Sequence, residues 1–490
     1  MDLHISGSSS YLYNRKGASM INYDYAFTAI MIIPLFLTAV IFFIDGKSAD
    51  KTANTIRVAT LGISACLALN LLMLSGITGD KPQDIAVNFL FGTVNMEYSI
   101  VSLSFMAIMN TIILIAIFAI RNQKISFSKE SVALILLTEN VANMSVSVND
   151  IALFYIILTL MFFLLFMIIV IRNKHQQKLN LHRVLSLHLF FLTIAMTAAI
   201  YIATKYGTTD IKLLKNIVFT ETENKILFWT LSLPLIASMS IFPFHSWFIS
   251  VNCLLTNTYR LLLSLNIVIS GFAFIKYITP VFNDDYEEST LIMQIIGIVS
   301  MFFASACMTY GNNLVRKMNY LLIALSSYIL IAIFSDYGNN TYIMMLIIGV
   351  CFEITAFSEV ISIIKNRFGT SRIDALSGLK TVFPGLNIFF VLLMLSLANI
   401  PLSINFVGNF MILQKIMQTN LFIVIMIIIG HIYIGTSVIS LYRRLFLGAP
   451  LQKDTAFTLD KHETFILSLS LAVIYFFGIF PYMLINKIGN

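Results

Sequence analysis

Residues 397–413 read LANIPLSINFVGNFMIL. The stretch lies between two long apolar runs in a chain that is apolar almost throughout. Pro401, Ser403, Gly408 and three asparagines interrupt a helix where a bilayer punishes interruption. A second stretch behaves alike: LSLPLIASMSIFPFHSWFISVN, residues 231–252, carries Pro234 and Pro243 within an apolar run. Irregular backbone at membrane depth survives only where protein or a water-filled cavity satisfies its polar groups. A packing kink would explain one such break. Two breaks at matching positions of two halves point to a transporter-type repeat with its pathway at the breaks.

The bulk composition fits. Of 490 residues, 58% are hydrophobic and only 11% are charged, against roughly 25% charged in a soluble chain. Runs long enough for a span of about 20 residues recur from Tyr25 to Leu484. Continuous runs such as IALFYIILTLMFFLLFMIIVI (151–171) do not alternate as barrel strands do. The expected class is therefore an all-α polytopic membrane protein with about fourteen transmembrane helices. The two interrupted stretches fall in helices 7 and 12. The fourth span, SVALILLTENVANMSVSV (131–148), is the weakest, because it carries Glu139, Asn140 and Asn143.

Charge follows topology. Loops after odd-numbered spans hold twenty Lys and Arg, among them Arg57, Arg172, Arg316, Arg372 and Arg444; loops after even-numbered spans hold five. The positive-inside rule then puts the odd-following loops in the cytoplasm and both termini outside it. The net charge of +7 is spent on this asymmetry, so no nucleic-acid partner is expected. The polar N-terminus offers no cleavable signal peptide. Cys66, Cys253, Cys307 and Cys351 lack C-x-x-C spacing and read as packing residues. No Gly-rich phosphate loop, nucleophile motif or metal-ligand spacing is present, so neither cofactor nor metal is expected on this chain.

Several segments resemble a known family. LSGLKTVFPGLNIFF (376–390), LANIPLSINFVGNFMIL and SVISLYRRLFLG (437–448), in that order, resemble the C-terminal half of subunit M (chain 4) of proton-pumping NADH-quinone oxidoreductase. Its sister subunits and the Mrp-type antiporter subunits are related. PFHSWF (243–248) resembles a motif ending the family's span seven. NDIALFYIILTLMFFLL (149–165) resembles the opening of span five, and NNLVRKMNY (312–320) the entry to span ten. The likeness covers roughly residues 90–450 and is strongest in the last third.

The resemblance implies fourteen spans, with spans four to eight and nine to thirteen forming two inverted five-helix repeats. It divides the chain into a polar tail (1–24), helices 1–3 (25–127), a first repeat (128–280), a second repeat (289–445) and a last helix with its tail (446–490). It implies homologous antiporter-like subunits as partners within a membrane complex, a plasma-membrane location with the mitochondrial inner membrane as the alternative, and redox chemistry confined to partner chains. At most, the chain is a non-redox subunit of the enzyme.

The family carries protons on buried ionisable groups. Carried over position by position, these fall on neutral residues here. The glutamate of span five falls on Thr159, nine residues after Asp150. The lysine of span seven falls on Ser238, five residues before Pro243. The lysine of span eight falls near Val268 and the histidine of span eleven near Ile348. The glutamate after the break of span twelve falls on Asn409, whose amide does not titrate near neutral pH. The expectation is a kept scaffold with a cut proton path, serving a structural or regulatory role. The alternative is an independent secondary transporter of a small solute, lined by Thr159, Ser238 and Asn409. Ionisable residues that remain within spans are His245, Glu139 and Glu353; Glu359, His188 and His431 also lie within spans. Glu353 and Glu359, six residues apart, are turned about 240° from one another on a helix.

Overall fold

In the computed structural model, residues 23–44, 48–76, 83–89, 92–121, 128–172, 181–253, 255–282, 286–335, 340–448 and 457–488 are described. The expected polar tail as far as Asn22, and the loop cations Lys47, Lys81, Lys124, Lys174, Lys178 and Lys453 of the charge asymmetry, lie outside them. The chain opens with α1 (Tyr23–Phe42) and α2 (Ser48–Gly76), then a hairpin of β1 (Gln83–Phe89) and β2 (Gly92–Tyr98). Then come α3 (Ile100–Arg121), α4 (Lys129–Ser147), α5 (Ile151–Arg172), α6 (Leu181–Tyr206) and the short α7 (Ile211–Leu214). Next are α8 (Glu221–Ser238), α9 (Ser246–Asn252) and α10 (Asn257–Ala273), which continues into a π-helical turn, Phe274–Ile278. The second half holds α11 (Tyr286–Tyr310), α12 (Leu314–Ile333), α13 (Asn340–Phe368), a 3-10 turn (Ile373–Ala375), α14 (Leu379–Val382), α15 (Pro384–Leu397) and α16 (Ile404–Thr419). It closes with α17 (Leu421–Phe446), α18 (Lys461–Ile479) and α19 (Tyr482–Ile488).

Eleven of the described helices are long and apolar enough to cross a bilayer. α4 and α8 are too polar to be among them, α8 through Glu221, Glu223 and Lys225, and the breaks leave α9, α15 and α16 too short. The all-α expectation needs one correction. β1 and β2 pair antiparallel, Gln83 opposite Tyr98 and Phe89 opposite Gly92. The pair is held by side chains as well as by its ladder: Tyr98 Oη donates to Asp24 Oδ1 at 2.9 Å, and the phenol ring of Tyr98 packs on Phe27.

α13 is enclosed along its whole apolar stretch, and α10 and α12 nearly so. These three form the middle of the bundle. α1, α6, α17 and α18 keep apolar faces outward, with Phe36, Phe190, Phe422 and Phe465 exposed, as a lipid-facing surface requires. Helix ends are closed by side chains. Asn420 accepts from the Phe422 and Ile423 amides, Ser403 accepts from the Phe406 amide, and Asp460 with Glu463 forms a capping box, each satisfying amides that the helix leaves unpaired.

Two backbone features occur once in each half. Before α5, the Ile151 amide donates to Thr209 O and the Ile211 amide to Asn149 O, making the bridge Asp150–Asp210. Before α12, the Leu314 amide donates to Ser371 O and the Ile373 amide to Asn312 O, making the bridge Asn313–Arg372. The first bridge leads into α7 and the second into the 3-10 turn at 373–375. The other shared feature is the break itself.

Candidate functional site at two broken helices

The first break ends α8. The Ser240 amide donates to Ala237 O and the Ile241 amide to Ile236 O, and Ser240 sits at φ 61°. This is a Schellman cap with a left-handed residue at its turn. The freed groups find partners. Trp247 Nε1 donates to Ala237 O at 3.0 Å, Ser326 Oγ of α12 to Met239 O at 3.1 Å, and the Phe242 amide to Ser300 Oγ of α11 at 3.0 Å. Ser327 Oγ completes the set by donating to Ser300 Oγ at 2.7 Å. The tryptophan of PFHSWF therefore closes the break. His245 stacks between Phe242 and Phe303, with Nδ1 buried and unpaired.

The second break ends α15 in the same way. The Asn399 amide donates to Ser396 O and the Ile400 amide to Leu395 O, with Asn399 at φ 57°. Leu402, at φ 85°, turns the chain into α16. α18 crosses so closely that a Cβ on Gly478 would lie 2.0 Å from Leu402 O, so only glycine fits there.

Glu353 of α13 is buried at this second break. Ser396 Oγ, in the last turn of α15, donates to Glu353 Oε1 at 2.5 Å. Asn405, in the first turn of α16, packs over Gly349, one turn before Glu353. Tyr475 of α18 lies near the carboxyl and gives its own hydroxyl to Leu392 O at 2.7 Å. Glu353 Oε2, Asn405 Oδ1 and Asn409 Oδ1 are buried oxygens without a hydrogen-bond partner. Glu359 faces elsewhere, accepting from Asn257 Nδ2 of α10 at 2.5 Å.

The family positions are distributed as follows. The Thr159 hydroxyl donates to Tyr155 O at 2.7 Å, and the Ser238 hydroxyl to Pro234 O at 2.6 Å, each within its own helix. Val268 and Ile348 are buried in the apolar core. Asn409 lies on α16 one turn beyond Asn405 and is buried. Among the other histidines, His431 contacts Ile427 O through Nδ1 and meets the Tyr328 ring edge-on, and His188 packs between Phe162 and Trp247. Among the described residues no cluster of three or more His, Cys, Asp or Glu could hold a metal ion.

Outside the spans, Lys212 of α7 pins the hairpin through Asp84 at 2.5 Å and Glu97 at 3.4 Å. Burial acts to lower its pKa, but the two carboxylates outweigh that and hold the ammonium above its ordinary value.

These features define a multi-pass helical membrane protein with two broken helices that end in matching caps. The transmembrane model of the NADH:quinone oxidoreductase/Mrp antiporter family matches residues 148–435, and the chain belongs to that family. NADH-quinone oxidoreductase subunit M of Rickettsia felis is 22% identical, over 92% of this chain and 94% of that protein. A chain of respiratory complex I from Thermus thermophilus shares the fold with a TM-score of 0.82 at 15% identity, covering 94% of this chain and 97% of that one. A chain of the Mrp complex from Dietzia sp. does so with a TM-score of 0.84 at 14% identity, covering 96% and 97%.

Proposed function

We propose that this chain is an M-type antiporter-like subunit of a complex I-type or Mrp-type assembly in the plasma membrane, with the family's proton route interrupted. In this reading α4, the pair α8–α9 and the pair α15–α16 supply three crossings beside the eleven long helices, and both termini lie outside the cytoplasm. Helices α4–α10 and α11–α17 are the two inverted repeats. The matched bridges Asp150–Asp210 and Asn313–Arg372, and the matched caps at Ser240 and Asn399, support that pairing. The partners are homologous antiporter-like subunits packed side by side, a reading supported by the likeness to chains of multi-subunit membrane complexes.

One observation carries the interruption. Where the family places titrating groups, Thr159 and Ser238 spend their hydroxyl protons on their own helices, Val268 and Ile348 are apolar, and Asn409 is an amide. Water links titrating groups but does not replace them as proton stores. A buried charge costs at least about 2.5–3.5 kcal/mol at the centre of a membrane, so its loss is cheap for folding and severe for transfer. The chain then acts as a structural or regulatory member of its complex.

Glu353 favours a second reading. It places a carboxyl against the second break, on α13 instead of at position 409 of α16. The route is then displaced in the second half and missing in the first.

Purification in mild detergent tests the assignment. Co-migration with several homologous membrane subunits is the expected result. A chain that purifies alone or as a homodimer supports an independent transporter instead.

A further inference from the structure

Away from both breaks, α2, α3, α4 and α10 bury a polar seam that none of the family positions uses. It contains Asn70 of α2, Asn110 of α3, Glu139 and Asn143 of α4, and Asn266 and Ser270 of α10, each at 0% exposure. Neither end of the four asparagine amides has a hydrogen-bond partner in the protein, and the Ser270 hydroxyl has none. The Glu139 oxygens have only the Cys66 thiol of α2 beside them, a weak donor.

The helix registers bring these groups within about two turns of one another. Thr258 Oγ1 donates to Ala116 O at 3.0 Å and Phe105 packs on Phe272 at 4.9 Å, so α3 and α10 run antiparallel with Asn110 level with Asn266. Val148, just after α4, bridges Met96, just before α3, so α4 runs against α3 and therefore with α10; Lys276 Nζ donating to Val146 O at 3.2 Å and Tyr277 Oη to Val148 O at 2.8 Å set the register. Glu139 is then level with Ile269, within one turn of both Asn266 and Ser270. Cys66 lies beside Glu139, and one turn further along both helices come Asn70 and Asn143.

Buried polar atoms are almost always paired, and leaving one unpaired is costly. A seam with this many unpaired groups needs an occupant. A bare cation takes oxygens only and strands the four amide N–H groups. Water gives and accepts, and buried water pairs with two to four such groups.

We propose that this seam is a hydrated chamber, open toward the hairpin side of the membrane past Lys276, and that Glu139 holds its exchangeable proton. Lys276 sits in the π-helical turn, a deviation that recurs at functional sites, one turn from Asn143 across the Val146 carbonyl. Beyond it stand Glu97, Asp84 and Lys212 of the hairpin-side network, and Asp150 at the foot of α5. From α1 the seam meets the Met31 carbonyl, already taken by Asn140 Nδ2. The chamber rests on the seam alone and stands whatever becomes of the family route.

Infrared difference spectra of the full chain in lipid nanodiscs, wild type minus Glu139→Gln, test it. A carboxylic C=O stretch that belongs to Glu139 and shifts within minutes of transfer to D2O is expected. A double variant, Asn143→Leu with Asn266→Leu, fills the seam with apolar volume and should slow that shift by about tenfold or more. No Glu139 band, or a band unmoved after hours in D2O, overturns the proposal, as does unchanged exchange in the double variant. Should that variant fail to fold, the wild-type spectrum alone still decides.

Discussion

Ser240 and Asn399 stand at the same point of two broken helices. Each is left-handed, at φ 61° and 57°, and each gives its amide to the carbonyl three residues back while its successor reaches five residues back. A left-handed turn is costly for any residue with a side chain, and most costly for a β-branched one.

Replacing Ser240 or Asn399 by glycine should therefore be neutral or stabilising, by up to about 1 kcal/mol. Valine at either position should destabilise by about 1–2 kcal/mol. Denaturant unfolding in detergent micelles reads both, and equal effects of glycine and valine would contradict the cap geometry.

Trp247→Phe removes the donor that closes the first break. A loss of about 1–3 kcal/mol is expected, because the indole N–H at Ala237 O disappears while most ring packing stays. Thermal unfolding followed by circular dichroism measures it.

The breaks are legible in the sequence because proline and clustered polar residues stand out in an apolar chain. Their closure is not. Serine at 240 carries no signal for a left-handed turn, and the partners of the freed groups, Ser300 and Ser326, come from α11 and α12. The pairing of β1 with β2 escapes sequence reading because its long-range anchors, Asp24 and Lys212, are distant in the chain. Thr159, Ser238 and Asn409 follow from spacing to motifs, whereas Val268 and Ile348 are placed only by neighbourhood. Glu353 is visible as an acid within a span, but Ser396 lies 43 residues away and meets it only through the packing of α13 on α15. Asn70, Asn110 and Asn266 read as isolated polar residues until the helix registers bring them into one seam.

Lys212 offers a test outside the membrane. Its folded pKa is raised, so its ion pairs with the Asp84 and Glu97 carboxylates contribute stability from neutral pH up to the unfolded lysine value, about 10.4, and lose it as pH climbs through the folded value. The groups are part-exposed, so Lys212→Ala should cost no more than about 1 kcal/mol, and less at high salt. Stability of the variant relative to wild type should stay constant from neutral pH to about pH 9 and converge only above about pH 10.

Proton uptake into liposomes holding the purified chain alone reads out whether this chain passes protons along the family route. No uptake by this chain is expected through Thr159, Ser238 and Asn409; any that occurs should vanish on replacing His245, Glu139 and Glu353 by neutral residues. Robust uptake that survives all three replacements would mean an intact proton route that needs none of these groups.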